Sequence, residues 1–184
     1  KFRNKSFLFE VKEKNILITG ANSGIGLALS KKLLTFKNKI IATYKKNSVN
    51  LDQIENNNLY KIKCDQRDDN DFIELKKKLD QFKIDIIINC AGVFGPSFQN
   101  QEIAELNFDE FQEILNVNAL SIAKIIQIIL KNKNSIPKII VNLSSDAGSL
   151  AKNTEGNAYI YRTSKSALNS ITKNMSIDLY SKYN

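Results

Sequence analysis

Histidine is absent from this 184-residue chain. Its absence removes Ser-His-Asp hydrolysis, Cys-His proteolysis and His-based zinc catalysis, each of which needs an imidazole. Proton transfer is left to Tyr, Lys, Asp, Glu or Cys. Cysteine is scarce: Cys64 and Cys90 are the two present, each at the end of an apolar run. A disulfide, a metal pair or two core thiols would all use such a pair. The apolar context favours core thiols, and nothing calls for an oxidising compartment. Two prolines and seven glycines leave no Pro/Gly-rich linker, and there is no internal repeat. One domain over 1–184 is the simplest organisation. No continuous apolar run reaches the ~18 residues that cross a bilayer. The opening KFRNKSFLFEVKEK lacks the apolar stretch of a signal peptide. A cytoplasmic protein with no membrane partner is expected.

What is present is an ordinary globular balance, 42% hydrophobic and 25% charged. The net charge is +8, from 27 Lys and Arg against 19 Asp and Glu. A grouped basic stripe would suggest nucleic acid. Here the lysines are scattered over helical faces, so no nucleic-acid partner is expected.

Short apolar runs at 15–19, 39–44, 59–64, 84–89 and 138–143 alternate with segments of helical spacing at 25–34, 72–79, 108–130 and 159–180. Parallel strands need such crossovers. Runs apolar on both faces suit a sheet covered on both sides. The fold class expected is α/β: a doubly wound, Rossmann-type parallel sheet flanked by helices.

Directly after the first run comes Thr19-Gly20-Ala21-Asn22-Ser23-Gly24-Ile25-Gly26, opening a helix. Glycine lets backbone turn sharply and approach a pyrophosphate, and the helix N-terminus offers free N–H groups to it. An ordinary strand-to-helix turn would also use glycine. The second run ends at Tyr44, about 20 residues further on, where an acid would bind a ribose 2′-hydroxyl and a base a 2′-phosphate. The sequence reads Tyr44-Lys45-Lys46, with no acid. NADPH is therefore expected in preference to NADH, with Tyr44 and Lys45 at the ribose.

Tyr161 and Lys165 stand four apart at the head of the last helical segment and share one face. Tyr159 has Thr163 at that offset. Reduction of a carbonyl by hydride leaves an alkoxide that needs a proton. A phenol ordinarily titrates near 10, and a neighbouring ammonium favours its ionised form. Many Tyr-x-x-x-Lys pairs are simple surface neighbours, so the pair alone decides nothing.

Taken together, these elements resemble the short-chain dehydrogenase/reductase family, whose loop has the Gly-x-x-x-Gly-x-Gly arrangement of Gly20, Gly24 and Gly26. The resemblance assigns Gly20, Asn22, Ser23, Gly24, Ile25 and Gly26 to the cofactor phosphates. It places Asp65, followed by Gln66, against the adenine. Asn89-Cys90-Ala91-Gly92 resembles the family's Asn-Asn-Ala-Gly element, which implies cofactor contacts for Asn89, Ala91 and Gly92. It also implies a catalytic group of Asn118, Ser145, Tyr161 and Lys165, the last two touching the cofactor as well. Ser145 is preferred to Ser144 because the family pattern has a glycine three residues on, here Gly148. Asn118 is preferred to Asn116, which is expected at the surface.

Gly92-Val93-Phe94-Gly95-Pro96 and the stretch from Gly148 through Tyr161 to Asn169 resemble the sniffer-like carbonyl reductases and the C-factor proteins. The resemblance implies an NADPH-dependent reductase of a small-molecule carbonyl. A C-factor-like signalling protein with little turnover is the alternative. Family members continue past this active-site helix with further strands. The chain is therefore expected to be part of a longer protein, a C-terminally incomplete sheet that on its own binds cofactor weakly. The family also implies a homodimer, with Ile122, Ile125, Ile126, Ile129, Leu168, Ile171 and Met175 supplying apolar helix surface.

Overall fold

The computed structural model describes residues 11–132 and 136–183; most of the N-terminal segment read for a signal peptide lies outside them. Five strands form one parallel sheet: β1 (Asn15–Thr19), β2 (Lys39–Tyr44), β3 (Leu59–Lys63), β4 (Ile86–Asn89) and β5 (Ile139–Asn142), in the order β3-β2-β1-β4-β5. Helices α1 (Gly24–Leu34), α2 (Val49–Asp52), α3 (Asp69–Leu79), α4 (Phe108–Leu115), α5 (Ser121–Lys131) and α6 (Tyr159–Tyr183) connect and cover it. This is the doubly wound Rossmann-type architecture. The strand order reverses between β1 and β4, which opens a crevice at their carboxyl ends.

The period-2 alternation of a strand explains the two cores. On one face Leu17, Ile41, Ile62 and Ile87 pack with Phe72, Leu75 and Leu79 of α3 and Ile125, Ile126 and Ile129 of α5. On the other, Ile16, Ile18, Ile40, Ala42, Ile86 and Ile88 pack with Leu34 of α1 and Leu51 of α2. Adjacent residues of one strand thus sit in opposite cores. The two edges depart from the expectation that every run is apolar on both sides. Tyr60, Lys61 and Lys63 of β3 are exposed, as an edge strand facing water allows. In β5 Val141 is exposed and Ile139 and Ile140 are half-buried.

The run Phe108–Lys131 is long and apolar enough to cross a membrane by length and hydropathy, but half of its most apolar window is buried inside the protein. Ile122, Ile125, Ile126 and Ile129 are its core-facing residues, so it is a core helix. That burial also corrects an expectation. These four isoleucines and Leu168 are used within the fold and offer no surface to a second copy.

The run is broken by one π-helical turn, Asn116–Leu120, between α4 and α5. Such turns insert an extra residue and re-aim side chains, often at functional sites. Here Val117, Asn118 and Ala119 all point inward and are buried.

Candidate active site

A cleft of about 390 Å³ opens at the crevice between β1 and β4. Gly20, Ser23, Gly24, Ile25 and Gly26 form one wall, Tyr44 and Lys45 the end of β2, Asp65 and Gln66 the end of β3, and Ala91 and Gly92 the end of β4. Gly20 and Gly26 are there because nothing larger fits, and Gly24, with open space around it, holds a φ of +50°. A Cβ on Gly26 would lie 2.5 Å from the Gly20 carbonyl oxygen. One on Gly20 would lie 2.8 Å from Ala91 Cα, on a backbone with φ +63°. The first turn of α1 is thereby drawn onto the end of β1, at the wall of the cleft. Thr19 Oγ1 accepts from the amides of Cys90 and Ala91 at 3.1 Å, which fastens the β4 turn beside the loop.

Two of the expected cofactor residues face elsewhere. Asn22 turns away from the cleft: its Oδ1 accepts from the amides of Asn50 and Leu51, and its carbonyl oxygen accepts from Asn50 Nδ2. It staples the loop to α2. Asn89 is buried under the sheet end and donates to Asn142 Oδ1 at 2.8 Å, joining β4 to β5. Both support the cleft without lining it.

Beyond the end of β2, Lys45 is exposed, and Arg67 lies across the cleft from it. Arg67 bonds Asp65 with two nitrogens and Glu113 with a third, at 2.7–3.0 Å. The guanidinium beside Asp65 holds its carboxyl below the usual carboxylate range, with Lys45 adding to the effect. Cys64 and Cys90 also line this cleft as free thiols. Burial pushes Cys64 up to about 12, with nearby carboxylates adding, and Cys90 to about 11. Neither is a thiolate at neutral pH, so neither is a nucleophile there.

Gly92 marks where the cleft meets the expected catalytic group. A Cβ there would lie 3.3 Å from Asn118 Oδ1 and 3.5 Å from Lys165 Nζ. The Lys165 ammonium donates to the Leu143 carbonyl at 3.0 Å and lies 5.7 Å from the centre of the Tyr161 ring. Lys165 is 6% exposed, and burial lowers its pKa from the ordinary lysine value. Asn118 is fully buried. It accepts from the Val93 amide, donates to the Val93 carbonyl, both at 2.8 Å, and donates to Ser164 Oγ at 3.0 Å.

Ser145 sits at the start of a tight turn that is pinned to α6. A Cβ on Gly148 would lie 2.8 Å from the Lys165 carbonyl carbon, and the Gly148 oxygen accepts from Ser166 and Asn169. This close approach is the physical reason for a glycine three residues after Ser145. The Ser145 hydroxyl accepts from the Ala147 amide and donates to Asp146 Oδ1, each at 3.1 Å. Ser144 bonds Asn169 at 2.6 Å instead. The structure therefore gathers Asn118, Tyr161 and Lys165 directly, with Ser145 on the neighbouring turn.

The family model of the short chain dehydrogenases matches residues 14–183. The chain belongs to that family. Over 97 residues it is 33% identical to the C-signal of Myxococcus xanthus, covering 52% of this chain and 57% of that protein. Carbonyl reductase Sniffer of D. melanogaster superposes with a TM-score of 0.78 at 28% identity, covering 91% of this chain and 75% of Sniffer. A Burkholderia multivorans protein described as a short-chain dehydrogenase/reductase, solved with bound NADP, gives 0.80 at 25% identity, covering 92% and 74%. The chain spans 52% and 57% of the length of two curated relatives, an oxidoreductase of Saccharomyces cerevisiae and the C-signal, and 64–73% of six others.

This short-chain dehydrogenase also contains site residues that the sequence did not single out. Arg67 and Thr19 serve the cleft as above. Ser164 is buried between Asn118 and the Tyr161 carbonyl, to which it donates at 2.8 Å. Gln101, fully buried, joins the loop after β4 to the start of α6. Phe94 packs against Tyr161 as a tilted pair, with ring centres 4.9 Å apart and planes at 41°. Thr19 and Phe94 lie inside stretches quoted above and Arg67 follows the Asp65-Gln66 pair, whereas Gln101 and the Ser164–Asn118 link are set by contacts remote in the chain.

Proposed function

We propose that this chain forms the nucleotide-binding and catalytic part of an NADPH-dependent reductase acting on a small-molecule carbonyl, with residues 14–183 as one dinucleotide-binding unit. The observation that carries the reading is the convergence of Asn118 Oδ1 and Lys165 Nζ at Gly92. There the cleft ends at Gly92 and Val93, and the Lys165 ammonium beside Gly92 lies 5.7 Å from the centre of the Tyr161 ring. Open space lies at Gly24, where a Cβ would meet nothing within 4 Å, beside the tight backbone contacts that Gly20 and Gly26 allow; it fits a pyrophosphate held by backbone N–H groups at the head of α1. Lys45, exposed at the end of β2, suits a 2′-phosphate, and no acid stands after Tyr44 to repel it. The NADP held by the Burkholderia relative agrees with that choice.

When bound, the reduced nicotinamide supplies the hydride. The protein's part is to hold the carbonyl and to move a proton. Tyr161 gives its phenolic proton to the oxygen as charge develops there. The Lys165 ammonium favours the phenolate left behind and, on this reading, reaches the nicotinamide ribose. Asn118 fixes Gly92 and Val93 so that the floor of the cleft stays open. Ser145 hydrogen-bonds the substrate oxygen once its hydroxyl turns from Asp146. A homodimer is part of the proposal. Its surface is the exposed apolar set Phe108, Leu120, Ile177 and Tyr180 on α4 to α6, since the isoleucines are used in the core.

Tyr161→Phe tests the chemistry in the full-length protein. It keeps the ring and its packing on Phe94. General acid groups typically supply about 10²–10⁴-fold, so kcat for a carbonyl such as 4-nitrobenzaldehyde falls by that order. NADPH affinity, read by fluorescence titration, stays within about twofold. Near-wild-type turnover in this variant removes Tyr161 as the acid.

A further inference from the structure

We infer that Gln101 is a positioning residue: it locks the Val93–Phe98 loop onto the first turn of α6 and so fixes where Tyr161 stands. The inference rests on Tyr161 being the acid of the proposed reduction. Helix α6 begins without a local cap. Its first backbone N–H groups have no partner within the helix, and the residue before it, Ala158, has no side-chain acceptor and a φ of +49°. The amide of Tyr161 is satisfied from 60 residues away, by Gln101 Oε1 at 3.0 Å. The same side chain donates through Nε2 to the Pro96 carbonyl at 3.0 Å and leans on that of Phe94 at 3.5 Å. Gln101 is fully buried, so it bonds protein and not water.

The Tyr161 backbone is thus held on both sides. Gln101 takes its N–H. Ser164 Oγ donates to its carbonyl at 2.8 Å, and Ser164 in turn receives a bond from Asn118. The loop is held on both sides as well, by Asn118 at Val93 and by Gln101 at Pro96. Between these two clamps Gly95, at φ +99°, lies over Ile114, where a Cβ would come within 2.4 Å of Cδ1. What the clamps fix is an aromatic set: Phe98 on Phe94, and Phe94 on Tyr161, each pair 4.9 Å between ring centres. Phe98 is 60% and Phe94 39% exposed, so burial alone does not hold them. Loss of the glutamine leaves Tyr161 free to swing and its aromatic neighbours free to leave it. Displacements of about 1 Å cost as much as 10²-fold in rate.

Two variants of the full-length protein separate the two ends of the side chain. Gln101→Met keeps the volume and removes all three bonds. Gln101→Glu keeps an acceptor for the Tyr161 amide but sets a carboxylate against the Phe94 and Pro96 carbonyls. Hydrogen exchange reads the first bond directly. In the wild type, the Tyr161 amide exchanges at least ~10-fold more slowly than that of Tyr159, as one net hydrogen bond of about that worth requires. In Gln101→Met that protection is lost while Leu168, further along α6, is unchanged; in Gln101→Glu it is kept. With 4-nitrobenzaldehyde and NADPH, kcat in Gln101→Met falls ~10-fold or more. Gln101→Glu instead raises KM, and the rise shrinks as pH falls and the added carboxyl is protonated into a donor. NADPH affinity is unchanged in both.

A residue that merely fills space would lower the melting temperature without this split between kcat and KM or its pH signature. If the wild-type Tyr161 amide is unprotected, or if Gln101→Met retains kcat, the positioning role is wrong. The wild-type exchange comparison decides the point even if Gln101→Met does not fold. A wild type that reduces no carbonyl with NADPH overturns the proposed reaction, and this role in it.

Discussion

Replacing Gly26 by Ala isolates the close approach that makes the cleft. The new Cβ would stand 2.5 Å from the Gly20 carbonyl oxygen, 3.0 Å from its carbon and 3.1 Å from Ala21 Cα. All three are backbone atoms of the turn just after β1, a strand buried from Ile16 to Thr19 and paired on both sides. No side chain can yield, so the first turn of α1 must move outward by several tenths of an ångström. Overpacking of this kind costs about 1–3 kcal/mol. Alanine returns part of it, because glycine inside a helix is about 1 kcal/mol worse. The net loss of stability is therefore small, about 0–2 kcal/mol by denaturant titration. The displaced N–H groups are those proposed to hold the pyrophosphate, so the Kd for NADPH rises at least ~10-fold, worth about 1.4 kcal/mol.

Gly156→Ala is the control. Gly156 has φ +69° but open space around it, so alanine there carries only the left-handed backbone cost of about 1–2 kcal/mol. It loses comparable stability and keeps its affinity. An NADPH Kd for Gly26→Ala within twofold of wild type would refute the assignment of this loop to the phosphates.

Lys45→Glu weakens NADPH ~10-fold and leaves NADH unchanged or tighter; because Lys45 is exposed, the gap narrows with added salt. Equal effects on both cofactors would exclude Lys45 from the 2′-phosphate site. Thiol titration of the native protein at pH 8 with Ellman's reagent finds both cysteines slow and Cys64 the slower, since burial holds its thiol at about 12 against about 11 for Cys90; fast stoichiometric reaction of either would contradict that. Burial lowers the pKa of Lys165, so the unfolded chain binds more protons than the folded one between the lowered value and the ordinary lysine value. Stability of the cofactor-free protein from this residue thus rises with pH through that window. Lys165→Met flattens the rise, and a wild-type profile indistinguishable from the variant's would count against it. Light scattering of the full-length protein gives a dimer, reduced to monomer by Leu120→Asp; a wild-type monomer at micromolar concentration removes the homodimer.

Much of the fold could be read in the sequence because strand and helix periodicity are local properties. The runs at 15–19 and 39–44 match β1 and β2 to the residue, since each has an uninterrupted apolar centre, Ile16–Ile18 and Ile40–Ala42, between polar ends. What periodicity could not give was position within the sheet. β3 reads as an apolar run with a few lysines, and only the strand order makes those lysines edge residues facing water. Nor does spacing tell whether an apolar helix face meets the protein's own sheet or a second copy. Ile122, Ile125, Ile126 and Ile129 fit either, and the sheet took them.

The candidate site divides along the same line. Gly20, Gly26 and Gly148 were visible because each stands where two backbones touch, and only glycine permits that. Tyr161 and Lys165 were visible because a helix fixes their offset. Asn22 and Asn89 have the right residue type at the right place in the chain, yet their amides are used to tie α2 and β5 to the cleft. An asparagine's four hydrogen-bonding positions serve a loop and a ligand equally well, so its sequence position alone does not choose between them. Gln101 is the converse case. It lies in a short irregular segment with no motif around it, and its partners are the Pro96 carbonyl and the Tyr161 amide. Both are main-chain groups, which residues carry whatever their side chain, proline lacking only the N–H. A side chain whose role is to satisfy main-chain groups leaves no mark at its partners' positions in the sequence, whereas one that acts through a second side chain, as Lys165 does beside Tyr161, leaves two.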